Sequence, residues 1–384
     1  MRHISQEREL AWKLTSARQV LERYGPAYGG SVDVVSPGVR RGHRVRGRFR
    51  VQRRPDGQGV VMGLRQVGLG DGLVDIRGCV AQSARFTQVM GAVGAVLDAL
   101  GAEATGSVES VEVRTSDRDA LAIVQSSAPM DLGLKEALVG AAKTHGFSLL
   151  GQVGDETPTM FHGKPSLQVQ HGRWTVETAP GSWTHASPLA GEGLLTWLRS
   201  RIEGQGHRDA LDLCCATGTV TFDLLEQLEG DVVAVDADRA AVLSVKEAAG
   251  GLERLETRAG KLSVVLRKLR RRTPALRPTL AVVNPMRKVL GERELKDLRP
   301  LGVRQVIYLG PAAASAAKDA AVLAALGYHL HGAAVIDLHP GTAQFMLGLD
   351  LRTQPALTGR IKGGEEPTAS HRYKTPKDDQ QEDS

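Results

Sequence analysis

Cysteine is scarce in this chain of 384 residues, which has only Cys79, Cys214 and Cys215. A lone cysteine and an adjacent pair make neither a disulfide framework nor a CxxC metal site, and neighbouring cysteines bridge each other only under strain. An iron–sulfur cluster held by four cysteines of one chain is excluded by arithmetic, and no metal site is expected. No apolar run approaches the ~20 residues of a membrane span. The opening MRHISQERELAWK lacks the apolar core of a signal peptide, so the expectation is a soluble, cytoplasmic protein with no membrane partner. A further absence lies at QVIYLGPAAASAAKD (305–319), an apolar run that turns through Gly310-Pro311 into an alanine-rich helix. Strand ends of this kind hold ligands and chemistry in α/β sheets. Yet nothing from Gly310 to Ala317 can ionise, and Ser315 is the only hydroxyl.

What is present is an ordinary globular composition, 41% apolar and 24% charged, long enough for two domains. Formal net charge is +6, unevenly spread. Arg40, Arg41, Arg44, Arg46, Arg48, Arg50, Arg53 and Arg54 crowd one segment; Arg267, Lys268, Arg270, Arg271 and Arg272 form a second cluster. In HRVRGRFRV (43–51) the alternation predicts a strand with Arg44, Arg46, Arg48 and Arg50 on one face. Guanidiniums about 7 Å apart roughly match phosphate spacing, and like charges in a row favour an anion among them. Nucleic acid is therefore the expected partner of that strand. For the second cluster a solvated helix face explains the charge as well.

The first half reads as α+β. A helix is predicted over 6–24, and GVVMGLR (59–65) pairs with the arginine strand. A helix over 84–100, a strand over 120–127, a helix over 132–145 and strands near 147–151, 166–171 and 174–178 complete it. From about 189 the rhythm becomes a helix (189–202), ALDLCC as a strand, a helix from Thr219, DVVAVDAD as a strand, then helix over 239–250 and helix again to about 272. Strands follow at 279–285 and 303–310, a helix runs through Leu326, and a closing pair spans 329–337 and 343–351. Such alternation predicts a mostly parallel, doubly wound Rossmann-like sheet with an antiparallel edge. The expected organisation is an α+β, RNA-binding-type domain over 1–188, the Rossmann-like domain over 189–352, and a disordered polar tail over 353–384.

LDLCCATGTVTFDL carries a strand, a small-residue turn and a helix start, the arrangement that lets a ligand approach backbone. Asp236, closing the next strand, is placed to accept both hydroxyls of a ribose. Acids that merely cap helices are the alternative. Ala216 stands where such turns favour glycine, leaving Gly218.

Taken together, these segments resemble the S-adenosylmethionine-dependent RNA (uracil-C5) methyltransferases, over about 40–351 and most specifically in the second half. The resemblance implies a cofactor site built from Asp212, Gly218, Asp236, Asn284 and His185, the last in PGSWTHAS (180–187), where the family has glutamine. It implies that HRVRGRFRV contacts transfer or ribosomal RNA, and the architecture is more like that of the transfer-RNA members. It also implies a cysteine thiolate that adds to uracil C6, and a base that removes the C5 proton after methyl transfer. The sequence departs from that pattern. The family's Asp-Pro-Pro-Arg motif corresponds to NPMR (284–287), with Asn284 for the acid and Pro285 and Arg287 kept. Tyr308 and Asp319 match around the nucleophile, whose own position falls on Pro311. Asp337, Pro340 and Thr342 match in the last motif, where the base falls on Met346 and the adjacent histidine on Gln344. An adenine-contacting acid corresponds to Lys261. Proline and methionine can neither attack nor take a proton, and no cysteine follows residue 215. The other cysteines are expected as small buried hydrophobes. The sequence thus predicts an RNA-binding relative without Cys-dependent uracil-C5 chemistry; the alternative is an RNA methyltransferase acting on another atom, such as an exocyclic amine oriented by Asn284. A structural role through protein partners ranks last.

Overall fold

The computed structural model describes residues 4–54, 56, 59–65, 72–100, 105–271, 277–285 and 289–353. Arg272, Arg287 and the expected tail, apart from Thr353, lie outside these residues.

In the first half, α1 (Gln6–Tyr24) and β1 (Val32–Val35) precede β2 (Arg46–Arg53), β3 (Val60–Arg65) and β4 (Leu73–Asp75). Next come α2 (Ala84–Ala99), β5 (Val108–Thr115), β6 (Ala120–Ser126), α3 (Leu132–His145), β7 (Ser148–Val153) and β8 (Thr159–His162), then the hairpin β9 (Leu167–His171) and β10 (Trp174–Thr178). The second half holds α4 (Pro188–Ile202), β11 (Ala210–Leu213), α5 (Thr219–Gln227), β12 (Val232–Asp236), α6 (Arg239–Ala248) and β13 (Leu255–Ala259). It continues with α7 (Leu262–Arg270), β14 (Leu280–Val283), two single turns α8 (Glu292–Leu295) and α9 (Leu298–Leu301), β15 (Gln305–Gly310), α10 (Ala313–Ala325), β16 (His329–Ile336) and β17 (Met346–Arg352).

The first sheet has the order β4-β3-β2-β5-β6-β7-β8. Alternation in its strands sends Phe49, Met62, Val111, Val113 and Val124 to one face, where they pack on Phe86, Met90 and Leu97 of α2 and Leu134 and Leu138 of α3. Ser83 caps α2 by accepting from the Phe86 amide, and Asp131 caps α3 through the Leu134 amide. The opposite face carries Arg46, Arg48 and Arg50, in register with Arg114, Glu112 and Ser110 of β5.

The second sheet has the order β1-β16-β17-β15-β14-β11-β12-β13. β17 alone among these strands runs antiparallel to its neighbours. β11, β14 and β15 are buried on both faces, which is why they read as continuous apolar runs. One face packs on α1, α7, α8, α9 and α10, the other on α4, α5 and α6.

Several expectations are corrected here. The second helix, expected to end at about 272, closes at Arg270, but β13 intervenes before it as the edge strand beside β12, and its mixed sequence LETRA offers no apolar run to betray it. The division at 188/189 does not follow the sheets either. β1 pairs with β16, and Ala17 and Leu21 of α1 enter the second core. The β9–β10 hairpin faces both ways, with Leu167 on Leu121, Ile123 and Leu150 of the first sheet and Val176 in the second core. The arginine strand begins at Arg46. Arg44 lies outside it, in an isolated bridge with Gln82, its Nε donating to the Arg46 carbonyl at 3.1 Å. Of the three cysteines only Cys215 is buried outright.

Candidate functional site

Three features converge at the carboxyl ends of the second sheet. The first is the loop after β11, which climbs from strand to helix in five residues. Cys214, Ala216 and Gly218 all have left-handed φ, 66°, 46° and 89°. That conformation strains Cys214 and Ala216, while Gly218 is required, since a Cβ there would stand 2.7 Å from the Phe222 ring. Asp236 holds the strained turn: its Oδ2 accepts from the Ala216 amide and its Oδ1 from the Asp238 amide, both at 2.8 Å. Each oxygen keeps a second lone pair. Asp212 Oδ2 accepts from Thr221 Oγ1 at 2.6 Å, whereas its Oδ1 is buried without a partner. Burial pushes this carboxyl up to about 7, against the Thr221 hydrogen bond and with help from the Asp236 charge. Asn284 continues β14 into the same rim, its amide donating to the Leu213 carbonyl at 3.0 Å. Its side chain has no hydrogen bond among the described residues.

The second feature is the strap 180–187 laid over that loop. The Trp183 carbonyl accepts from Thr217 Oγ1 at 3.2 Å, and Ser182 Oγ donates to Asp238 Oδ2 at 2.9 Å. Trp183 packs edge-on against His185 at 4.6 Å between ring centroids. His185 Nε2 is buried with no partner, and burial, with His171 and His339 nearby, lowers its pKa to about 3. His185 is therefore neutral in the fold. The expected cofactor residues Asp212, Gly218, Asp236, His185 and Asn284 are thus brought to one rim.

Cys214 belongs to the same rim. Burial, then the charges of Asp236 and Asp212, push its thiol up to about 12. Cys215 is raised further for the same leading reason.

The third feature is a cavity of about 320 Å³ between the end of β15 and the segment 338–346, lined by Pro311, Ala313, Leu338, His339, Gln344 and Met346 among others. Positions 311 and 346, far apart in sequence, therefore share one chamber. Beneath it, Tyr308 donates to Asp319, whose oxygens also accept from the Leu290 and Gly291 amides at 2.8 Å. These two matching residues are scaffold: both are fully buried.

Sequence reading missed what fixes the chamber's far wall. Lys13 Nζ donates to Glu9 and Asp337 at 2.7 Å each, Arg40 pairs with Glu9 at 3.1 Å, and the Gly341 amide donates to Glu9. Glu9 and Lys13 are one helical turn apart, which is a signal for an ion pair, though not for its burial.

The arginine face is partly self-neutralised. Glu112, nearly buried, pairs with Arg114 at 2.7 Å, Arg48 at 3.2 Å and Arg46 at 3.3 Å. Burial alone would raise its carboxyl, but Arg114 and Arg46 hold it below the usual range. Arg48 and Arg50 project into a trench of about 800 Å³ with Arg65, Gln52 and Gln125 along it. Of the second basic cluster, Arg270 pairs with Asp297 at 2.8 Å. Among the described residues no helix is long and apolar enough to cross a membrane, and no cluster could hold a metal.

No family model matches the chain. It is similar to the 23S rRNA (uracil(1939)-C(5))-methyltransferase RlmD of Alcanivorax borkumensis, 28% identical over 253 residues, covering 63% of this chain and 55% of that protein. RlmD of Klebsiella pneumoniae is 26% identical over 329 residues, 81% of this chain and 70% of the relative. An uncharacterized RNA methyltransferase of Streptomyces coelicolor is 26% identical over 184 residues, 47% of this chain and 39% of its own. The chain thus spans about half the length of the Streptomyces and Alcanivorax relatives. Among solved structures, the Pyrococcus abyssi tRNA (uracil-54, C5)-methyltransferase in complex with S-adenosyl-L-homocysteine is 16% identical, with a TM-score of 0.68 over 91% of this chain and 84% of that one. The fold is therefore the Rossmann-like fold of S-adenosylmethionine-dependent methyltransferases.

Proposed function

We propose that this chain is an RNA-binding relative of the RNA (uracil-C5) methyltransferases in which Cys-dependent methylation of uracil C5 does not take place. The observation that carries this reading is the chamber at the end of β15. Pro311 and Met346 line it together, and none of the lining residues is a cysteine or carboxylate. A thiolate addition to C6 needs a nucleophile there, and release of the C5 proton needs a base. Burial raises both thiols of the neighbouring loop, Cys214 to about 12 and Cys215 further, so that they stay protonated at neutral pH.

The rim fits an adenosine-containing cofactor. Asp236 keeps one lone pair on each oxygen for a ribose diol, Asp212 Oδ1 is an unpartnered carboxyl oxygen, and His185 Nε2 is a second buried polar atom without a partner. S-adenosylmethionine, when bound, supplies an electrophilic methyl group. The chain's own contribution is to orient: Asp236 fixes the turn at Ala216, and the strap shields the loop from water. RNA is the partner that suits the trench carrying Arg48 and Arg50.

The test is a pair of measurements on the full chain. Binding to ribosomal or transfer RNA should weaken steeply as salt rises, whereas RNA labelled with tritium at uracil C5 should release none above background in the presence of S-adenosylmethionine. Tritium release would overturn the loss of C5 chemistry; absence of salt-dependent binding would overturn the RNA reading.

One observation favours a second reading, an RNA methyltransferase acting on an amine. Asn284 sits at the rim of the cofactor loop with a side-chain amide committed to no hydrogen bond among the described residues, as orienting an exocyclic amino group requires. Calorimetry showing no S-adenosylmethionine binding at millimolar concentration removes this reading; methylated adenine or guanine in treated RNA establishes it.

A further inference from the structure

The strap 180–187 lies between the arginine face and the cofactor loop, and its carbonyls alternate between them. The Ser182 carbonyl accepts from Arg114 at 2.6 Å, the Thr184 carbonyl from Arg46 at 3.2 Å and the Ala186 carbonyl from the Val45 amide at 2.9 Å. The intervening Trp183 carbonyl points the other way and accepts from Thr217 of the cofactor loop. Successive carbonyls of the strap thus face opposite directions. Ser182 adds a second tie, through Asp238 to the segment that begins at Asp236.

Both gripping arginines hang on one acid. Glu112 Oε1 accepts from Arg46 and Arg114, while Oε2 is held by Arg48, the one exposed member of the set. Three guanidiniums thus share one carboxylate, and Arg114 keeps a buried Nη2 with no partner. A phosphate entering the trench competes with Glu112 for Arg48. Once Arg48 turns to the phosphate, Glu112 has only Arg46 and Arg114 to pair with, and each is then held more firmly against the strap.

Resting on the RNA-binding reading above, we propose that Glu112 couples the two sites: RNA phosphate on Arg48 tightens the strap over the cofactor loop, so that RNA and the adenosyl cofactor each raise the other's affinity. Linkage makes the effect reciprocal, and couplings of this kind change affinity by about 5- to 150-fold.

The experiment uses the full chain, a single-stranded oligouridylate and S-adenosylhomocysteine. Calorimetry should show the Kd for S-adenosylhomocysteine falling at least fivefold on saturation with the oligonucleotide, and the oligonucleotide Kd falling by the same factor with the nucleoside present. Glu112→Gln should bring that factor to one. Hydrogen exchange adds a readout that needs neither a variant nor the nucleoside: amides of residues 182–186 should exchange more slowly when the oligonucleotide alone is added. RNA that binds without altering either the strap's exchange or the nucleoside's Kd overturns the coupling while leaving the RNA reading intact. RNA that fails to bind overturns the reading itself. A factor that persists in folded Glu112→Gln, verified by its circular dichroism, overturns the assignment to Glu112.

Discussion

Two ends of one sheet, side by side, are furnished in opposite ways. Where β11 and β12 finish, the chain buries Asp212 and His185 with unpartnered polar atoms and bends Cys214 and Ala216 into left-handed backbone. Each of these features costs folding free energy, of order 1–3 kcal/mol for a strained residue or an unsatisfied buried group. Where β15 and β17 meet, Pro311, Ala313, Leu338 and Met346 line a chamber without strain of that kind. Strain and unmet polar atoms at the first stand against a lining at the second that mixes apolar side chains with His339 and Gln344. The difference lies in what each stretch offers a ligand: unmet polar atoms and strained backbone at one, no thiol or carboxylate in the lining of the other.

The comparison can be broken most forcefully behind the chamber. Lys13→Met should destabilise the protein by about 3–5 kcal/mol, because Glu9 and Asp337 would be left buried around a missing cation. Urea unfolding measures this, and a loss under ~1 kcal/mol would show that the far wall does not depend on the ion network.

Acid sharpens the contrast at the other end. His185 and His171 have folded pKa values near 3 and 4 against 6.5 when unfolded, so the unfolded state takes up more protons as pH falls below about 6.5. Their contribution to stability is complete above that pH and is lost on descent towards 4 and 3. Asp212 works oppositely: with its pKa raised to about 7 from 3.8, its contribution is complete below about 4 and is lost as pH rises through 7. The unfolding midpoint of His185→Gln should fall less between pH 6.5 and 4 than that of the parent; an equal fall would mean that His185 titrates freely in the fold.

Ala216→Gly relieves the left-handed turn and should stabilise the chain by about 1 kcal/mol, read from the shift in urea midpoint. Along the trench, Arg48→Ala should reduce the slope of log affinity against log salt by about 1 while RNA still binds. The smallest signal comes from rebuilding the chamber. Pro311→Cys combined with Met346→Glu should give tritium release from C5-labelled RNA that is slow but above background; a double variant that folds, binds RNA and stays silent would show that the chamber does not receive a uracil.

The parts legible in the sequence were those set by local chemistry. β11, β12, β14 and β15 announce themselves as apolar runs because both their faces are buried. Pro311 and Met346 could be aligned to missing functions, yet only the packing of β17 against β15 puts them in one chamber. β13 escaped because an edge strand need not be apolar, and Arg44 was placed on a strand because alternation cannot show where pairing begins. Glu112 and Arg114 alternate within SVESVEVRT (107–115), but the other charge partners of Glu112, Arg46 and Arg48, sit on a strand some sixty residues away. Long-range pairing of this kind has no signature in a single stretch.

The pairing of β1 with β16 has a consequence for how the protein is made. Val32–Val35 leave the ribosome some three hundred residues before their partners at Ala333–Ile336. The first sheet can close from contiguous chain while α1 and β1 wait for a sheet not yet synthesised. Contacts of such separation are slow to form. Docking of α1 and β1 on the second sheet is therefore expected among the slow steps of folding, and pulsed hydrogen exchange should show the Val32–Val35 amides protected late.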